Sequence, residues 1–281
     1  MTPSKLDLPS LLNRHHIRPK KSLGQNFLWD PNILNRIVDS AHLPQGAQVL
    51  EIGPGVGTLT RHLAEAAAFV KTVEIDRTLK PALDEVLSPY SNVELIIGDI
   101  LKVAPMDVMP TGGYYVIANI PFYITSALIR HLLETPKKPA RIVLTIQFEV
   151  AKRVCAQPGD LSLLALSVQV YGKPSLEYKI PAGAFYPVPD VDSAVLRIDL
   201  YDQPLIPDDQ LELFFRLAKA GFHQKRKKIR NALAEGLRIP VDKVENTLIL
   251  AGIDPASRAQ MLDLDEWASL LKIWPVQFPA L

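Results

Sequence analysis

A glycine-rich segment and two acidic residues have the types and the spacing that hold a nucleoside. The segment Gly53-Pro54-Gly55-Val56-Gly57 follows the apolar run that ends at Glu51-Ile52, and a helix-compatible stretch comes after it. Glycines at a strand-to-helix turn let the backbone approach a ligand closely. Glu74 follows Gly53 by about 20 residues, the spacing at which an acidic side chain binds ribose hydroxyls. Asp99, at the end of the next apolar run, suits the amino group of an adenine.

The spacing of the glycines disfavours a nicotinamide dinucleotide. In dinucleotide-binding loops a third glycine comes three positions after the second, whereas Gly57 comes two positions after Gly55. A loop that binds S-adenosylmethionine has no pyrophosphate to hold, so it needs only to contact a nucleoside and a zwitterionic amino acid. We therefore predict S-adenosylmethionine as the cofactor, although the separation of Gly53 and Glu74 alone also fits a dinucleotide enzyme.

The segment Asn119-Ile120-Pro121-Phe122 suits methyl transfer to an exocyclic amine. The lone pair of such an amine is delocalised into the base, which makes it a poor nucleophile. Hydrogen bonds to the Asn119 side-chain oxygen and to a backbone carbonyl beside Pro121 would favour a more tetrahedral nitrogen, and Phe122 offers a ring for stacking. A base inside a duplex cannot reach such a pocket, so the substrate is a loop nucleotide or a flipped one. An Asn-x-Pro turn that caps a helix is the common structural explanation of these four residues in isolation.

The elements that must position these residues alternate between strands and helices. Apolar runs predict strands over 49–52, 69–76, 93–99, 114–119, 141–146, 166–170 and 194–200. Such alternation predicts an α/β, Rossmann-like domain with a mostly parallel sheet, which we assign to residues 22–203. Ligands gather at the carboxyl ends of parallel strands, where the glycine loop, the two acids and Asn119 all fall.

Beyond residue 203 the pattern is helical only. Helices are predicted over 211–221, 225–237, 241–251 and 265–273, and we expect a small all-helical C-terminal domain over 204–281. The run Lys225-Arg226-Lys227-Lys228, followed by Arg230, contains no acidic residue. A solvated helix end is the ordinary explanation of such a run, and binding of RNA phosphates is the functional one.

The first 21 residues are interpreted as a basic N-terminal arm. Three prolines prevent a long helix there, and 14–21 is rich in basic side chains. A solvated mobile segment is the ordinary explanation, whereas in the functional one Lys20 and Lys21 lie on RNA phosphates. After the arm, Asp30 can cap a helix that begins at Pro31.

Composition excludes several classes of protein. The 281 residues carry a net charge of +1 and a single cysteine, Cys155, so neither an intrachain disulfide nor a cysteine metal site is possible. No apolar run approaches the roughly 18 residues of a membrane span, and the N-terminus lacks the pattern of a signal peptide. We expect a cytoplasmic, soluble monomer that binds no metal.

These motifs together resemble the ribosomal RNA adenine dimethyltransferase family, and most of all its bacterial small-subunit branch. The resemblance extends from about Lys20 to Leu271. Besides the glycine loop, the two acids and the Asn119 motif, it rests on Leu23-Gly24-Gln25-Asn26-Phe27-Leu28, Phe185-x-Pro187-x-Pro189-x-Val191-x-Ser193, Phe222-His223-Gln224-Lys225-Arg226-Lys227-Lys228 and Ala251-Gly252-Ile253-Asp254-Pro255.

The resemblance implies S-adenosylmethionine as methyl donor. It implies dimethylation of two adjacent adenosines in a hairpin loop near the 3′ end of small-subunit rRNA, within the assembling subunit. Asn119 and Pro121 would hold the target amine, while Phe122 and Phe185 would sandwich the target adenine. The implied cofactor contacts are Gln25, Asn26, Leu28, Gly53, Gly55, Glu74, Ile75, Asp99, Ile100 and Asn119. The expected RNA contacts are Lys20, Lys21, Lys225, Arg226, Lys227, Lys228 and Arg230.

Three positions depart from the family's usual residues. Phe122 stands where tyrosine is usual, and we expect activity to survive because stacking does not need the hydroxyl. Phe148 stands where the family often has lysine, and 158–164 lacks the family's tyrosine–glycine pair. The last two departures concern local loop structure and leave the predicted chemistry unchanged.

Three alternatives remain. A large-subunit rRNA adenine methyltransferase of the macrolide-resistance type shares every cofactor motif, but the longer helical C-terminal domain and Ala251–Pro255 favour the small-subunit branch. A non-catalytic assembly or transcription factor on the same fold is disfavoured by the intact Glu74, Asp99 and Asn119. A nicotinamide-dependent oxidoreductase is disfavoured by the glycine spacing and by the Asn119 motif.

Overall fold

The chain forms two compact units. A computed structural model describes Pro3, residues 6–224 and residues 226–278. The first unit comprises the described residues up to Ala151 together with Pro174–Leu200, and the second comprises Lys152–Lys173 together with the described residues from Tyr201 onward. The predicted single boundary near residue 203 therefore omits Lys152–Lys173, which group with the C-terminal helices.

A seven-stranded sheet organises the first unit. The strands of the chain, in order, are β1 (Phe27–Leu28), β2 (Gln48–Ile52), β3 (Phe69–Glu74), β4 (Val93–Ile97), β5 (Tyr115–Asn119), β6 (Arg141–Gln147), β7 (Gly172–Ile180), β8 (Phe185–Tyr186) and β9 (Ser193–Leu200). Across the sheet the order is β4-β3-β2-β5-β6-β9-β7, and β1 and β8 form a separate two-stranded ribbon. The pairs among β2 to β6 are parallel, whereas β9 runs antiparallel to β6.

The strand order creates a crevice next to β2. From β2 the chain continues to β3 and β4 on one side, whereas β5 and β6 lie on the other side. Where the order reverses in this way, the connections after neighbouring strands diverge and leave room for a ligand at the carboxyl ends. The five predicted parallel strands are confirmed, and the polar last residues of β3 and β5, Glu74 and Asn119, lie at this edge.

Helices complete both units. They are α1 (Leu8–Arg14), α2 (Pro31–Ser40), α3 (Thr58–Ala66), α4 (Lys80–Leu87), α5 (Pro105–Val108), α6 (Thr125–Leu133), α7 (Phe148–Val154), α8 (Leu163–Gln169), α9 (Leu211–Phe222), α10 (Ile229–Leu237), α11 (Val241–Leu250) and α12 (Leu264–Gln277). Asp30 caps α2 as predicted, because its Oδ1 accepts a hydrogen bond from the Asn32 amide at 2.8 Å. Leu34 and Ile37 of α2 pack with Leu59 and Leu63 of α3 in a core cluster that also contains residues of β2, β3, β5 and β6.

The predicted strand over 166–170 is wrong. Residues 166–169 belong to α8, which ends at Gln169 and whose N-cap Ser162 accepts a hydrogen bond from the Ala165 amide. Leucine and alanine dominate the first turn and favour a helix, whereas only two β-branched residues, Val168 and Val170, favour a strand.

The N-terminal segment contains a packed helix. Leu8, Leu11 and Leu12 of α1 are buried in a cluster with Phe27 and with leucines of the α4 region. Burying a leucine side chain contributes about 1.5–3 kcal/mol, so these three residues fasten the segment to the first unit. Proline limits the length of the helix but does not prevent it, since Pro9 lies in the first turn where its missing N–H is not needed.

Close helix packing characterises the second unit. A Cβ atom at Gly236 of α10 would lie 2.8 Å from the Ala220 Cβ of α9, so the two helices approach as closely as they do because position 236 has no side chain. In α12 the side chains of Trp267 and Trp274 are buried, and Asp263 and Glu266 form a reciprocal capping box at its start. Among the helices that the structure describes, none is both long enough and apolar enough to cross a bilayer.

Candidate functional site

The glycine loop has the conformation that the sequence predicts. Gly53, Gly55 and Gly57 have φ angles of +69°, +60° and +85°, a region that residues with side chains seldom adopt. At Gly55 there is also no room for a side chain, because a Cβ atom would lie 2.9 Å from the Phe27 ring. The loop connects β2 to α3 and exposes its backbone at the crevice next to β2.

A cleft at the carboxyl ends of β2, β3 and β5 brings the predicted residues together. It encloses about 1020 Å³ of empty space, its open mouth included. All the predicted catalytic and cofactor residues line it: Gln25, Asn26, Leu28, Gly53, Gly55, Glu74, Ile75, Asp99, Ile100, Asn119, Pro121, Phe122 and Phe185. The cleft lies entirely within the first unit, and the roles of its residues stay predictions.

Glu74 is held firmly at the end of β3. Its Oε2 accepts a hydrogen bond from the Gly55 amide at 3.1 Å, and its Oε1 accepts one from the Asp76 amide at 2.7 Å. Burial raises the pKa of Glu74, and the two backbone N–H groups oppose that rise. Each carboxylate oxygen keeps a second acceptor position, so the side chain can still accept hydrogen bonds from a pair of hydroxyl groups.

An apolar surface and a second acid adjoin Glu74. Ile75 is 48% exposed although it is large and hydrophobic, and Ile100 lies buried in the wall of the same cleft. Asp99 at the end of β4 accepts a hydrogen bond from the Leu101 amide at 3.1 Å. An exposed isoleucine beside a carboxylate suits a flat ring that carries an amino group.

Asn119 is oriented by the N-terminal segment. Its Nδ2 donates to the backbone carbonyl of Asn26 at 3.1 Å, which leaves Oδ1 as the acceptor of the amide group. Pro121 then begins a single turn over Phe122–Ile124, and its carbonyl accepts a hydrogen bond from the Ile124 amide at 3.2 Å. An amide group and a turn therefore lie next to each other at the end of β5, and their role toward a target amine stays a prediction.

Strand pairing brings Phe185 to the same cleft. In the β1–β8 ribbon Leu28 is opposite Phe185, and Phe27 is opposite Tyr186. Phe185 is buried, and its cluster includes Leu28 and Leu34. The predicted partner Phe122 precedes Phe185 by more than 60 residues in the sequence. The two residues therefore line the same cleft only because the chain folds.

Glu51 is a residue of the cleft that the predictions omit. It is 1% exposed, and burial raises its pKa to about 8, so it is protonated at neutral pH. The hydroxyls of Thr60 and Thr72 lie close enough to lower that pKa partly, but Oε2 and both hydroxyls lack hydrogen-bond geometry to any described group. The signal was present in the sequence as a carboxylate directly before the glycine loop.

Gln25 and Lys20 have partners that the sequence does not indicate. Gln25 lines the cleft, but its side-chain amide is engaged with the Lys20 amide and with Asp76. Lys20 forms an ion pair with Asp76, whereas its neighbour Lys21 is exposed. The structure thus separates the two lysines that the sequence treats alike.

The basic run precedes α10 instead of lying within it. Because Lys228 has an extended backbone, the helix begins at Ile229. Lys227 pairs with Glu235, and Arg230 pairs with Glu245 at 2.6 Å. Arg226 and Lys228 are exposed and have no ion-pair partner among the described residues, and Lys225 lies outside the described residues. No cluster of metal-ligating side chains occurs in the described ranges.

Comparison with protein families gives a match over almost the whole chain. Residues 16–275 match the family described as "Ribosomal RNA adenine dimethylase". A relative named ribosomal RNA small subunit methyltransferase A, from Dehalococcoides mccartyi, is 42% identical over 275 residues, which are 97% of this chain and 94% of the relative. A relative of the same name from Moorella thermoacetica is 41% identical over 272 residues, 93% of this chain and 94% of the relative.

Solved structures agree with the fold. A dimethyladenosine transferase from Plasmodium falciparum aligns with a TM-score of 0.76 and 25% identity, over 88% of this chain and 97% of the other. The 23S rRNA methyltransferase ErmE aligns with a TM-score of 0.71 and 31% identity, over 88% of this chain and 99% of the other.

We predict that Glu51 makes the stability of the protein without cofactor depend on pH. In the unfolded chain its carboxyl ionises near 4.5, but in the folded protein it stays protonated up to about 8. The free energy of unfolding should therefore fall as the pH rises from 4.5 to 8, by up to about 1.4 kcal/mol per pH unit. Glu51→Gln should remove the part of this decline that Glu51 contributes and leave the smaller part due to Glu74, whose pKa is also raised, as measured by denaturant unfolding at several pH values. Glu212→Gln, which changes an exposed glutamate, is the control, and an unchanged decline in Glu51→Gln would contradict the assignment.

Proposed function

The chain belongs to the ribosomal RNA adenine dimethylase family, and we propose that it transfers methyl groups from S-adenosylmethionine to the N6 amines of adenosines in small-subunit rRNA. We propose two adjacent adenosines of a hairpin loop near the 3′ end as its targets, and a cytoplasmic monomer that acts within the assembling subunit. The observation that carries the proposal is the orientation of Asn119 by the Asn26 carbonyl, in a cleft that also contains Glu74 and Asp99.

The cleft fits S-adenosylmethionine. Glu74 keeps two acceptor positions for ribose hydroxyls, Ile75 offers an apolar face for the adenine, and Asp99 offers a carboxylate for its amino group. Glu51, whose buried Oε2 has no hydrogen-bond partner among the described groups, also belongs to the lining of the cleft. When bound, the cofactor supplies an electrophilic methyl group on a sulfonium.

Asn119 would hold the target amine. With Nδ2 engaged by the Asn26 carbonyl, Oδ1 is available to accept a hydrogen bond from N6. A second bond, to a backbone carbonyl beside Pro121, would turn the nitrogen lone pair away from the ring and toward the methyl group. The proton on N6 becomes acidic once the methyl is attached, so no strong base is required, and positioning supplies most of the rate.

Two phenylalanines would hold the target base. Phe122 begins the turn after Pro121, and Phe185 reaches the cleft from the β1–β8 ribbon. Stacking of a base on an aromatic ring contributes about 1–3 kcal/mol. Because transfer discharges a cation, an aromatic pocket with little water does not oppose the reaction.

The basic run would bind RNA phosphates. Arg226 and Lys228 stand at the N-terminus of α10, where the helix dipole makes positive charge unfavourable. An anionic partner would offset that cost, and two cations without ion-pair partners among the described residues are suited to phosphates. Lys227 and Arg230 would first have to leave Glu235 and Glu245.

Support for the small-subunit target comes from the relatives. The two reported relatives named ribosomal RNA small subunit methyltransferase A, from Dehalococcoides mccartyi and Moorella thermoacetica, are 42% and 41% identical over more than nine-tenths of both chains. The 23S rRNA methyltransferase ErmE is 31% identical to this chain. Methylation of large-subunit rRNA is therefore the main alternative to the proposed function. A non-catalytic assembly factor would not need the Asn119 oxygen or the two cofactor acids.

A transfer assay tests the proposal directly. The protein is incubated with labelled S-adenosylmethionine and, separately, with unmodified small subunits, large subunits or DNA, and the labelled nucleoside is identified after digestion. We expect dimethyladenosine from small subunits alone, at two adjacent positions. Label only in large-subunit RNA would contradict the proposed target, and the absence of dimethyladenosine from every substrate would favour the assembly factor.

Asn119→Ala should abolish transfer while the cofactor still binds. We expect kcat to fall at least about 100-fold, because positioning of the amine is lost. The affinity for S-adenosylhomocysteine, measured by calorimetry without RNA, should change only a few-fold. Phe122→Tyr, which restores the family's usual hydroxyl without removing the ring, is the control within the same motif and should stay active. Full activity of Asn119→Ala would remove Asn119 from its proposed role.

The double variant Arg226→Ala, Lys228→Ala should weaken RNA binding and its dependence on salt. Each lost phosphate contact lowers the slope of log affinity against log salt by about 0.7–0.9, so we expect a decrease of about 1.5. Lys243→Ala with Lys272→Ala removes the same charge from two exposed lysines of the same unit. Equal effects of the two double variants would mean that net charge alone, and not the basic run, governs binding.

A further inference from the structure

A buried carboxylate connects the N-terminal segment to the cofactor cleft. Asp76 follows Glu74 and Ile75 at the end of β3, and its side chain is only 3% exposed. Its Oδ1 accepts a hydrogen bond from the Lys20 Nζ at 2.7 Å, and its Oδ2 accepts one from the Gln25 Nε2 at 2.8 Å. Thr78 completes the set, because both its amide and its hydroxyl donate to Oδ1.

The same segment closes on itself. The Lys20 amide donates to the Gln25 Oε1 at 2.8 Å, and the Gln25 and Leu23 amides donate back to the Lys20 carbonyl. Lys20 and Gln25 therefore form a loop whose two side chains both end on Asp76. The residues that follow in the chain, Asn26 and Leu28, line the cleft, and the Asn26 carbonyl orients Asn119.

Asp76 is also joined to the acid predicted to bind ribose. Its amide donates to the Glu74 Oε1 at 2.7 Å, while the Gly55 amide donates to the other oxygen. A displacement of Asp76 would thus shift the hydrogen-bonded groups of Glu74 and the glycine loop, and also those of Gln25. The network spans three stretches of chain that meet at the cleft.

We propose that Lys20 and Asp76 are positioning residues for the cofactor, which hold the segment Leu23–Leu28 against the cleft, and that Lys20 acts through this network instead of through RNA phosphates. The inference rests on the proposed function, since it takes S-adenosylmethionine as the ligand of the cleft. It departs from the sequence-based expectation, which groups Lys20 with Lys21 as RNA contacts.

The charges agree with this role. A carboxylate with almost no exposure to water needs several partners. Burial raises the pKa of Asp76, but the bonds from Lys20, Thr78 and Gln25 outweigh it and hold that pKa at about 2. Lys20 itself keeps its ammonium within 2.9 Å of the Thr78 hydroxyl as well as of Asp76. Lys21, one residue later, is exposed and has no ion-pair partner among the residues described.

Two lysine variants separate the two roles. Lys20→Met and Lys21→Met remove the same charge from neighbouring positions and keep a long side chain. The full-length variants are compared in three measurements: affinity for S-adenosylhomocysteine without RNA, KM and kcat with S-adenosylmethionine and small subunits, and the salt dependence of RNA binding.

We expect Lys20→Met to lower the affinity for S-adenosylhomocysteine about tenfold, because a buried carboxylate loses its cationic partner. The KM for S-adenosylmethionine should rise by a similar factor, while kcat at saturating cofactor and the salt slope of RNA binding stay as in the unaltered protein. Lys21→Met should leave cofactor affinity unchanged. Lys20→Arg keeps a cation that can reach Asp76 and should retain most of the affinity for S-adenosylhomocysteine. Asp76→Asn should lower that affinity, and adding Lys20→Met to Asp76→Asn should lower it little further.

The outcomes distinguish this inference from the proposed function. Unchanged cofactor affinity in Lys20→Met, with a salt slope lowered by about 0.7–0.9, would overturn the inference and return Lys20 to the RNA contacts. If the unaltered protein itself failed to bind S-adenosylhomocysteine, the proposed function would fail first. If Lys20→Met and Lys21→Met lowered cofactor affinity equally, the inference would also be overturned, because the effect would then come from the loss of any positive charge in this segment.

Discussion

The contact between the Phe27 ring and the backbone of Gly55 is the constraint on which the cleft depends. A single Cβ atom at position 55 would approach that ring to 2.9 Å, so the N-terminal segment can cover the loop only because glycine stands there. Phe27 belongs to β1, whose pairing with β8 brings Phe185 to the cleft. The Gly55 amide also fixes Glu74. One position without a side chain therefore connects the proposed cofactor site to the proposed base site.

Three of the carboxyl groups at this edge of the sheet, those of Glu51, Glu74 and Asp76, are each stabilised in a different way. Glu51 stays protonated, since burial raises its pKa to about 8. Glu74 is bound by two backbone amides, and Asp76 is surrounded by Lys20, Thr78 and Gln25. Glu51 therefore carries no charge at neutral pH, and the ammonium of Lys20 compensates the negative charge of Asp76.

The basic residues divide according to their partners instead of their position in the chain. Lys20, Lys227 and Arg230 are engaged with Asp76, Glu235 and Glu245. Other cations of the same stretches are exposed and lack such partners among the described residues, as Arg226 and Lys228 show. The number of basic residues in a run of the sequence is therefore larger than the number of positive charges that are available to bind RNA. Since ion pairing is a tertiary property, only the structure separates the two groups.

The sequence by itself determined the parallel strands, the glycine loop and the placement of Glu74, Asp99 and Asn119, because apolar runs that end in polar residues place those residues at the same edge of a sheet. Gln25, Asn26, Leu28 and Phe185 of the cleft are implied only by the resemblance to the family. Three local predictions are wrong or incomplete: residues 166–169 belong to a helix, α10 begins at Ile229, and Leu8, Leu11 and Leu12 anchor a segment interpreted from the sequence as a basic arm. The sequence also could not assign Lys152–Lys173 to the helical unit. Tertiary structure alone decided that Glu51 is neutral, that Lys20 meets Asp76 and that the Asn26 carbonyl orients Asn119, because burial and contacts between distant residues arise only when the chain is folded.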